Sequence, residues 1–400
     1  MFQQCSGCRA VAYCGPACQR DHWRTHKKTC KNLQHARMRD VFRAGAAGDT
    51  FAQFNGSTCF LSGFGASANP AEAMQWLREA ADRGEARAQY QLGDCYWDGQ
   101  GVPTDFAQAA AWYLRAAQGG LSAAQFRVGQ CFAKGEGFPV DAAQAVVWFR
   151  QAGDAGHAQA LYSLGACYTS GRGVPADAAQ AVAYYRVAAA AGLPIAQFNM
   201  GCCFADGAGV AVDAAQAVEW YKLAANAGNV DAQVYLAQCY GSGSGVLADA
   251  VKSAAWFRRA AEAGDSAAQY SWGLCLGTGS GVPRDVMQAA VWYQRSASAG
   301  YTQAHVNLGT CYMAGRGVPA DPVRAVALFE RAADAGNAEA YFNLGVCNTT
   351  GQGVLANAAQ ALAWFQRAAA AGLPQAQELL RRPQAAWQVA VGSVPASISF

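Results

Sequence analysis

Charged residues make up only 14% of this 400-residue chain, and histidine occurs five times. No apolar run approaches the roughly 18 residues that a helix needs to cross a bilayer. The opening "MFQQCSGC" has no charged start followed by an apolar stretch, so no secretory signal is legible. The expectation is an intracellular protein, cytoplasmic or nuclear, with no membrane partner. Three of the five histidines lie in the first 35 residues, leaving His157 and His305 for the rest of the chain. Neither has a recurring acid or nucleophile beside it, which argues against an enzyme and against a small-molecule substrate. Gly-x-Gly strings are common, yet they precede capped helices and follow no strand, so a phosphate cradle fails on context.

Hydrophobic residues reach 52% and glycine 44 copies, so small side chains must dominate a generous core. The net charge of +3 hides an asymmetry. Residues 1–45 carry nine Lys/Arg against two acids, and the remainder carries 21 against 25. A basic head thus precedes a mildly acidic body, which fits an acidic or peptide partner, or simply a solvated finger.

Cysteine is plentiful but unpaired outside the opening segment. From Cys59 through Cys95 and Cys131 to Cys347, one thiol recurs every 36 residues, with Cys202 as the lone extra. One thiol per unit is no disulfide scaffold. Packed helices sit about 8–10 Å apart, beyond the Cα separation of about 7 Å that a disulfide tolerates. These cysteines read as small buried hydrophobes.

The same period carries Gly48, Gly84 and Gly120 onward to Gly372, and Asp105 onward to Asp321. A fixed period in this range signals a solenoid. In residues 85–120, Ala88, Leu92, Cys95 and Tyr96 form the apolar stripe of a first helix. "DGQGVPTD" breaks it, with Gly99 and Gly101 free to take positive φ. Asp105 and Gln108 have the spacing of a capping box. Ala109, Trp112, Tyr113 and Ala116 form the stripe of a second helix, which stops at Gly120. A hairpin cannot bury two stripes alone, so neighbours must stack.

The string "LGDCYWDGQGVPTD…AAAWYLRAAQGG" resembles the Sel-one-like repeat, a relative of the tetratricopeptide repeat, and recurs as "LGACYTSGRGVPAD" and "LGTCYMAGRGVPAD". The expected fold is an all-α, right-handed α-solenoid of about nine 36-residue helical hairpins over residues 49–372. Residues 31–48 are expected to form a linker or capping helix, 373–382 a capping half-repeat, and 383–400 a loose tail. Comparing units shows which positions vary. Gln91, Asp94 and Asp98 become Arg127, Gln130 and Lys134 in the next unit while the core stays fixed. These six are the candidate partner-binding surface, on the first helices, which helical-repeat solenoids present on their concave side.

The opening stretch holds C-x2-C, C-x3-C and H-x3-C pairs, the spacing of zinc ligands. Spacing alone permits an all-cysteine site of Cys5, Cys8, Cys14 and Cys18. "YCGPACQRDHWRTHKKTC" is similar to the second half of a MYND-type zinc finger, matching at Tyr13, Cys14, Cys18, Gln19, Trp23, His26, Lys27 and Cys30. That family carries four ligand pairs on two zincs, and the first pair has no counterpart here. The resemblance implies zinc on Cys5, Cys8, His26 and Cys30, with Cys14 and Cys18 as a second, incomplete site for which His22 is a third candidate ligand. Either residues upstream complete the finger, or it is a reduced one-zinc form. The family reads extended proline-containing peptides, which by resemblance assigns peptide binding to Tyr13, Gln19 and Trp23.

The expected function is a zinc-binding adaptor with protein or peptide partners. The runner-up readings are a subunit of an enzyme complex, such as a ubiquitin-ligase or methyltransferase-associated factor, and a nucleic-acid-binding regulator acting through the basic head. Nothing presents a recognition helix with base-reading side chains, which argues against nucleic acid.

Overall fold

The computed structural model of the chain describes residues 3–4, 12–13, 43–62 and 70–381. Two-residue strands β1 (Gln3–Gln4) and β2 (Ala12–Tyr13) pair antiparallel, with Gln3 opposite Tyr13 and Gln4 opposite Ala12. A helical turn, α1 (43–46), follows. Of the expected linker helix, residues 31–42 lie outside the described part. Gly45 lies so close to the Trp76 ring that a side chain there would overlap it.

All later described elements are helices, and they divide into two compact units, residues 1–191 and 192–400. The first unit holds α2 (Thr50–Ser62), α3 (Pro70–Asp82), α4 (Ala86–Asp98), α5 (Phe106–Gln118), α6 (Ser122–Lys134), α7 (Ala142–Asp154), α8 (Ala158–Ser170) and α9 (Ala178–Ala190). The second holds α10 (Pro194–Asp206), α11 (Ala214–Asn226), α12 (Val230–Ser242), α13 (Ala250–Glu262), α14 (Ser266–Thr278), α15 (Val286–Ser298), α16 (Thr302–Ala314), α17 (Pro322–Asp334), α18 (Ala338–Thr350), α19 (Ala358–Ala370) and the short α20 (Pro374–Leu380). Even-numbered helices are the first of each hairpin and odd-numbered ones the second. From α3 to α9 in the first unit and from α11 to α20 in the second, each helix packs on the one before it. The half-repeat α20 buries Ala376 and Leu379 against the end of the second unit.

The hairpin is built as its residues suggest. Ala88, Leu92 and Cys95 of α4 are buried, as are Ala109, Trp112, Tyr113 and Ala116 of α5. Gly99 closes α4 at φ 74°, a left-handed conformation that costs other residues energy, and its N–H caps the Cys95 carbonyl. The second glycine of each loop has a different duty. Gly137 sits at φ 81° with the Phe106 carbonyl so close that no side chain would fit. The Gly-x-Gly loops are thus stacking contacts between repeats.

The expected capping box forms only by half. The Asp105 carboxylate accepts from the Gln108 N–H at 3.0 Å, and the same cap opens α7, α9, α11, α13, α15 and α17. The return bond from the glutamine is displaced, because the Asp105 N–H already donates to the Tyr96 carbonyl at 2.9 Å. That tie pins the loop to the end of the first helix.

A second device fixes the joint between repeats. Gln89 is buried, and its Nε2 donates at 3.0 Å to the Ala81 carbonyl at the end of the preceding helix, which also accepts from the Gly84 N–H at 3.0 Å. Gln125, Gln233, Gln269 and Gln377 do the same to Ala117, Ala225, Ala261 and Ala369.

Packing between the two helices of a hairpin rests on a glycine and a ring. Gly93, Gly129, Gly165, Gly201, Gly273, Gly309 and Gly345 each lie under an aromatic ring of the second helix, and a methyl at any of them would overlap it. Repeat six has Ala237 at this position.

Candidate partner-binding face

The varying first-helix positions come together on one side of the first unit. Gln91, Asp94, Arg127 and Gln130 are half-buried, and Asp98 and Lys134 are exposed. The structure joins two of them across neighbouring repeats. The Tyr113 hydroxyl donates to Asp94 Oδ1 at 2.7 Å, and Arg127 Nη2 lies 3.8 Å from the same oxygen. Arg127 Nε also lies 3.5 Å from the Tyr90 hydroxyl, and its guanidinium stands 5.9 Å from the Trp97 ring and 6.0 Å from that of Tyr113.

Burial raises the Asp94 carboxyl above its ordinary range. The Tyr113 hydrogen bond and the Arg127 charge pull it back, and the Asp98 charge pushes it up again. Burial and the Asp94 contact both push the Tyr113 phenol up, so it stays a donor. The result is an oriented Tyr–Asp–Arg cluster beside a groove of about 500 Å³ between α2, α4 and the start of α6. Phe54, Tyr90 and Leu121 supply its apolar lining, and Arg87, Asp94 and Asp98 its charges.

Along the row of Gln91 the first unit has Asn55, Gln91, Arg127 and Ser163 and the second has Asn199, Tyr235, Ser271, Asn307 and Asn343, so Arg127 is the one charged member of the row. Asn307 is buried, with its Nδ2 3.5 Å from the Tyr270 hydroxyl. Gln303 bridges neighbouring repeats, donating to Glu339 at 2.6 Å and accepting from Asn337 at 2.9 Å.

The body histidines have structural duties. His157 caps α8, its Nδ1 accepting from the Ala160 N–H at 3.3 Å while the ring stacks on Phe126. His305 is buried on α16 in the row that elsewhere holds the joint glutamines, with Nδ1 3.2 Å from the Tyr301 carbonyl. The described cysteines from Cys95 to Cys347 are free thiols. Burial pushes the Cys95 and Cys131 thiols up to about 11 and Cys347 to about 12, the opposite of activation.

Of the finger residues, Tyr13 falls in β2. Cys5, Cys8, Cys14, Cys18, Gln19, His22, Trp23, His26 and Cys30 lie outside the described residues. Among the described residues no three His, Cys, Asp or Glu side chains form a metal-binding group. The joint glutamines are not among the sequence-based candidates, although their 36-residue recurrence marks them.

The sequence model of the Sel1 repeat matches nine consecutive stretches, from 50–85 to 338–373, and so most of the chain. The chain belongs to the Sel1 repeat family. The MYND finger model matches residues 1–30. Among solved structures, c5321, a protective antigen of uropathogenic Escherichia coli strains with an SLR fold, is 31% identical. That match covers 89% of this chain and 83% of the antigen, with a TM-score of 0.68. A Sel1 repeat protein from Oxalobacter formigenes is 34% identical over 76% of this chain and 89% of its own, with a TM-score of 0.62. The MYND finger family binds zinc, and a MYND finger followed by Sel1 repeats is a protein–protein interaction scaffold. No helix among the described residues is long and apolar enough to cross a membrane.

Proposed function

We propose that this Sel1 repeat protein is a two-module adaptor. The finger captures a short proline-containing peptide through Tyr13, Gln19 and Trp23, and the first-helix face of the repeats holds a second partner. The observation that carries the reading is the segregation of variable from constant positions. Gln91, Asp94 and Asp98 change identity in the next repeat and lie half-buried or exposed, while the glycine–ring contact beneath them recurs. Linking two modules raises the effective concentration of one partner near the other without any new contact.

Zinc is the group that the finger would hold. Three thiols and one imidazole from Cys5, Cys8, His26 and Cys30 make a full tetrahedral donor set. A segment of 30 residues has too little core to fold unaided, so the metal supplies folding energy. Zinc content of the purified chain is expected to fall by one equivalent in Cys30→Ala. Full retention would favour the all-cysteine site.

The adaptor reading is tested by quantitative pull-down with the full chain. Trp23→Ala that keeps its zinc should lose one set of partners. Charge reversal at Arg127 and Lys134 should lose another. A single set lost in both variants, or no change in either, would refute the two-module reading.

A further inference from the structure

The groove beside α4 has a polarity that specifies its occupant. Arg87 stands in the first turn of α4, and Asp94 and Asp98 two and three turns further on. At 1.5 Å per residue the positive end lies roughly 10–16 Å from the negative one along the helix. That is about three to five residues of extended chain. Between the two ends α4 contributes Tyr90 and the polar Gln91, and Phe54 and Leu121 add apolar lining to the groove.

The two carboxylates are under-compensated. They lie four residues apart on one helix, where like charges repel, and the Asp98 charge adds to the upward push on the Asp94 carboxyl. Arg127 is the cation nearest Asp94, but at 3.8 Å it is shared with the Tyr90 hydroxyl and two rings. A further cation from outside would relieve the pair.

We infer that this groove binds an extended peptide segment carrying a Lys or Arg at the Asp94–Asp98 end. An Asp or Glu three to five residues away sits at Arg87, and an apolar side chain between them rests on Phe54, Tyr90 and Leu121. The inference rests on the reading of the first-helix face as a binding surface, and it commits that face to a zwitterionic motif where repeats one to three meet.

The test is selection of random dodecapeptides displayed on phage, on immobilised full-length chain. Recovered peptides should be enriched in a basic and an acidic residue three to five positions apart, flanking an apolar one. A recovered peptide, measured by fluorescence polarisation, should bind Asp94→Asn/Asp98→Asn about tenfold more weakly or worse, a loss of the size that desolvated charge pairs contribute. Arg87→Gln should weaken the same peptide and remove the acidic preference on reselection. Both variants keep the Tyr113 contact or lie clear of it, and unchanged helicity by circular dichroism verifies the fold. Recovered peptides without the charge pair, or binding insensitive to these substitutions, would overturn the inference while leaving a first-helix partner surface in place. Recovery of no first-helix-dependent peptide at all would remove both.

Discussion

Repeats six and eight share their loops and helix lengths, yet their centres are packed differently. In repeat eight, Gly309 lies under the Phe329 ring, and Phe329 is 2% exposed. In repeat six the glycine is Ala237, and the equivalent ring, Phe257, is only half-buried. The cause is geometric. A methyl added at Gly309 would stand 2.6 Å from the ring, too close for a real contact. Ala237 carries that methyl, so Phe257 cannot take the position that Phe329 takes. A polar tie accompanies the change. Ser253, where repeat eight has Ala325, donates its hydroxyl to the Ala237 carbonyl at 2.8 Å. One methyl in the first helix thus decides how much ring the second helix buries.

The largest test of this contrast is truncation of the two rings. Phe329→Ala should cost about 3–5 kcal/mol, the range for removing a fully buried aromatic. Phe257→Ala should cost only about 1–2 kcal/mol, in proportion to the area it hides. Urea denaturation gives the totals, and hydrogen exchange of α16–α17 against α12–α13 assigns them to repeats. Repeats communicate with nearest neighbours, so protection should fall locally. Equal losses at the two sites would break the comparison.

Exchanging the small residue sharpens it. Gly309→Ala should expel Phe329 and destabilise repeat eight by about 1–2 kcal/mol, because overpacking costs about 1–3 kcal/mol and alanine returns up to about 1 kcal/mol of helix propensity. The converse Ala237→Gly loses that propensity but opens room for Phe257, so its net effect should stay within about 0.5 kcal/mol. Destabilisation by Ala237→Gly well beyond the propensity loss would mean that the methyl is itself a packing partner.

Ser253→Ala addresses the polar tie and should cost about 0.5–1 kcal/mol, the low end for a hydrogen bond. The carbonyl it releases belongs to a residue inside α12, where the helix supplies its other partner. No change in midpoint would show the hydroxyl to be ornamental, with Phe257 governed by the methyl alone.

Much of this architecture was legible in the residues themselves. Gly99 and Asp105 announce a break and a cap because φ sign and N-capping are local properties. The zinc-ligand spacing is local as well. The glutamine ties were not read, because Gln89 reaches a carbonyl eight residues back across a helix joint. The Asp105–Gln108 spacing suggests a return bond to the Asp105 N–H, whereas closure of the loop within the hairpin gives that N–H the Tyr96 carbonyl. On the candidate face, Asp94 and Arg127 stand out in the sequence as variable, but their approach across 33 positions depends on how repeats register. The displaced ring of repeat six depends on clearance around a single Cβ, which no periodicity reports.

The smallest expected effect concerns a departure of the same kind at the caps. Asn229 and Asn337 cap their helices through side-chain oxygens at 2.7 and 2.9 Å, and neither titrates. At the equivalent place His157 caps α8 with Nδ1, an acceptor that protonation would abolish. Burial lowers the His157 pKa below its ordinary value, with a backbone hydrogen bond partly opposing it. A depressed folded-state value means that the unfolded chain binds the proton more readily. Stability is therefore full above about pH 6.5, the unfolded value, and is lost as pH falls through the folded value. The loss should be about 0.5–1 kcal/mol, the worth of a cap. His305, also depressed by burial, contributes in the same sense, so total acid sensitivity does not isolate the cap. The difference between wild type and His157→Asn does. Denaturation midpoints of the two should run parallel above pH 7 and diverge below about pH 6.5, with the asparagine variant retaining more stability. Parallel behaviour down to pH 5 would mean that the imidazole contributes to α8 through its stack on Phe126 alone.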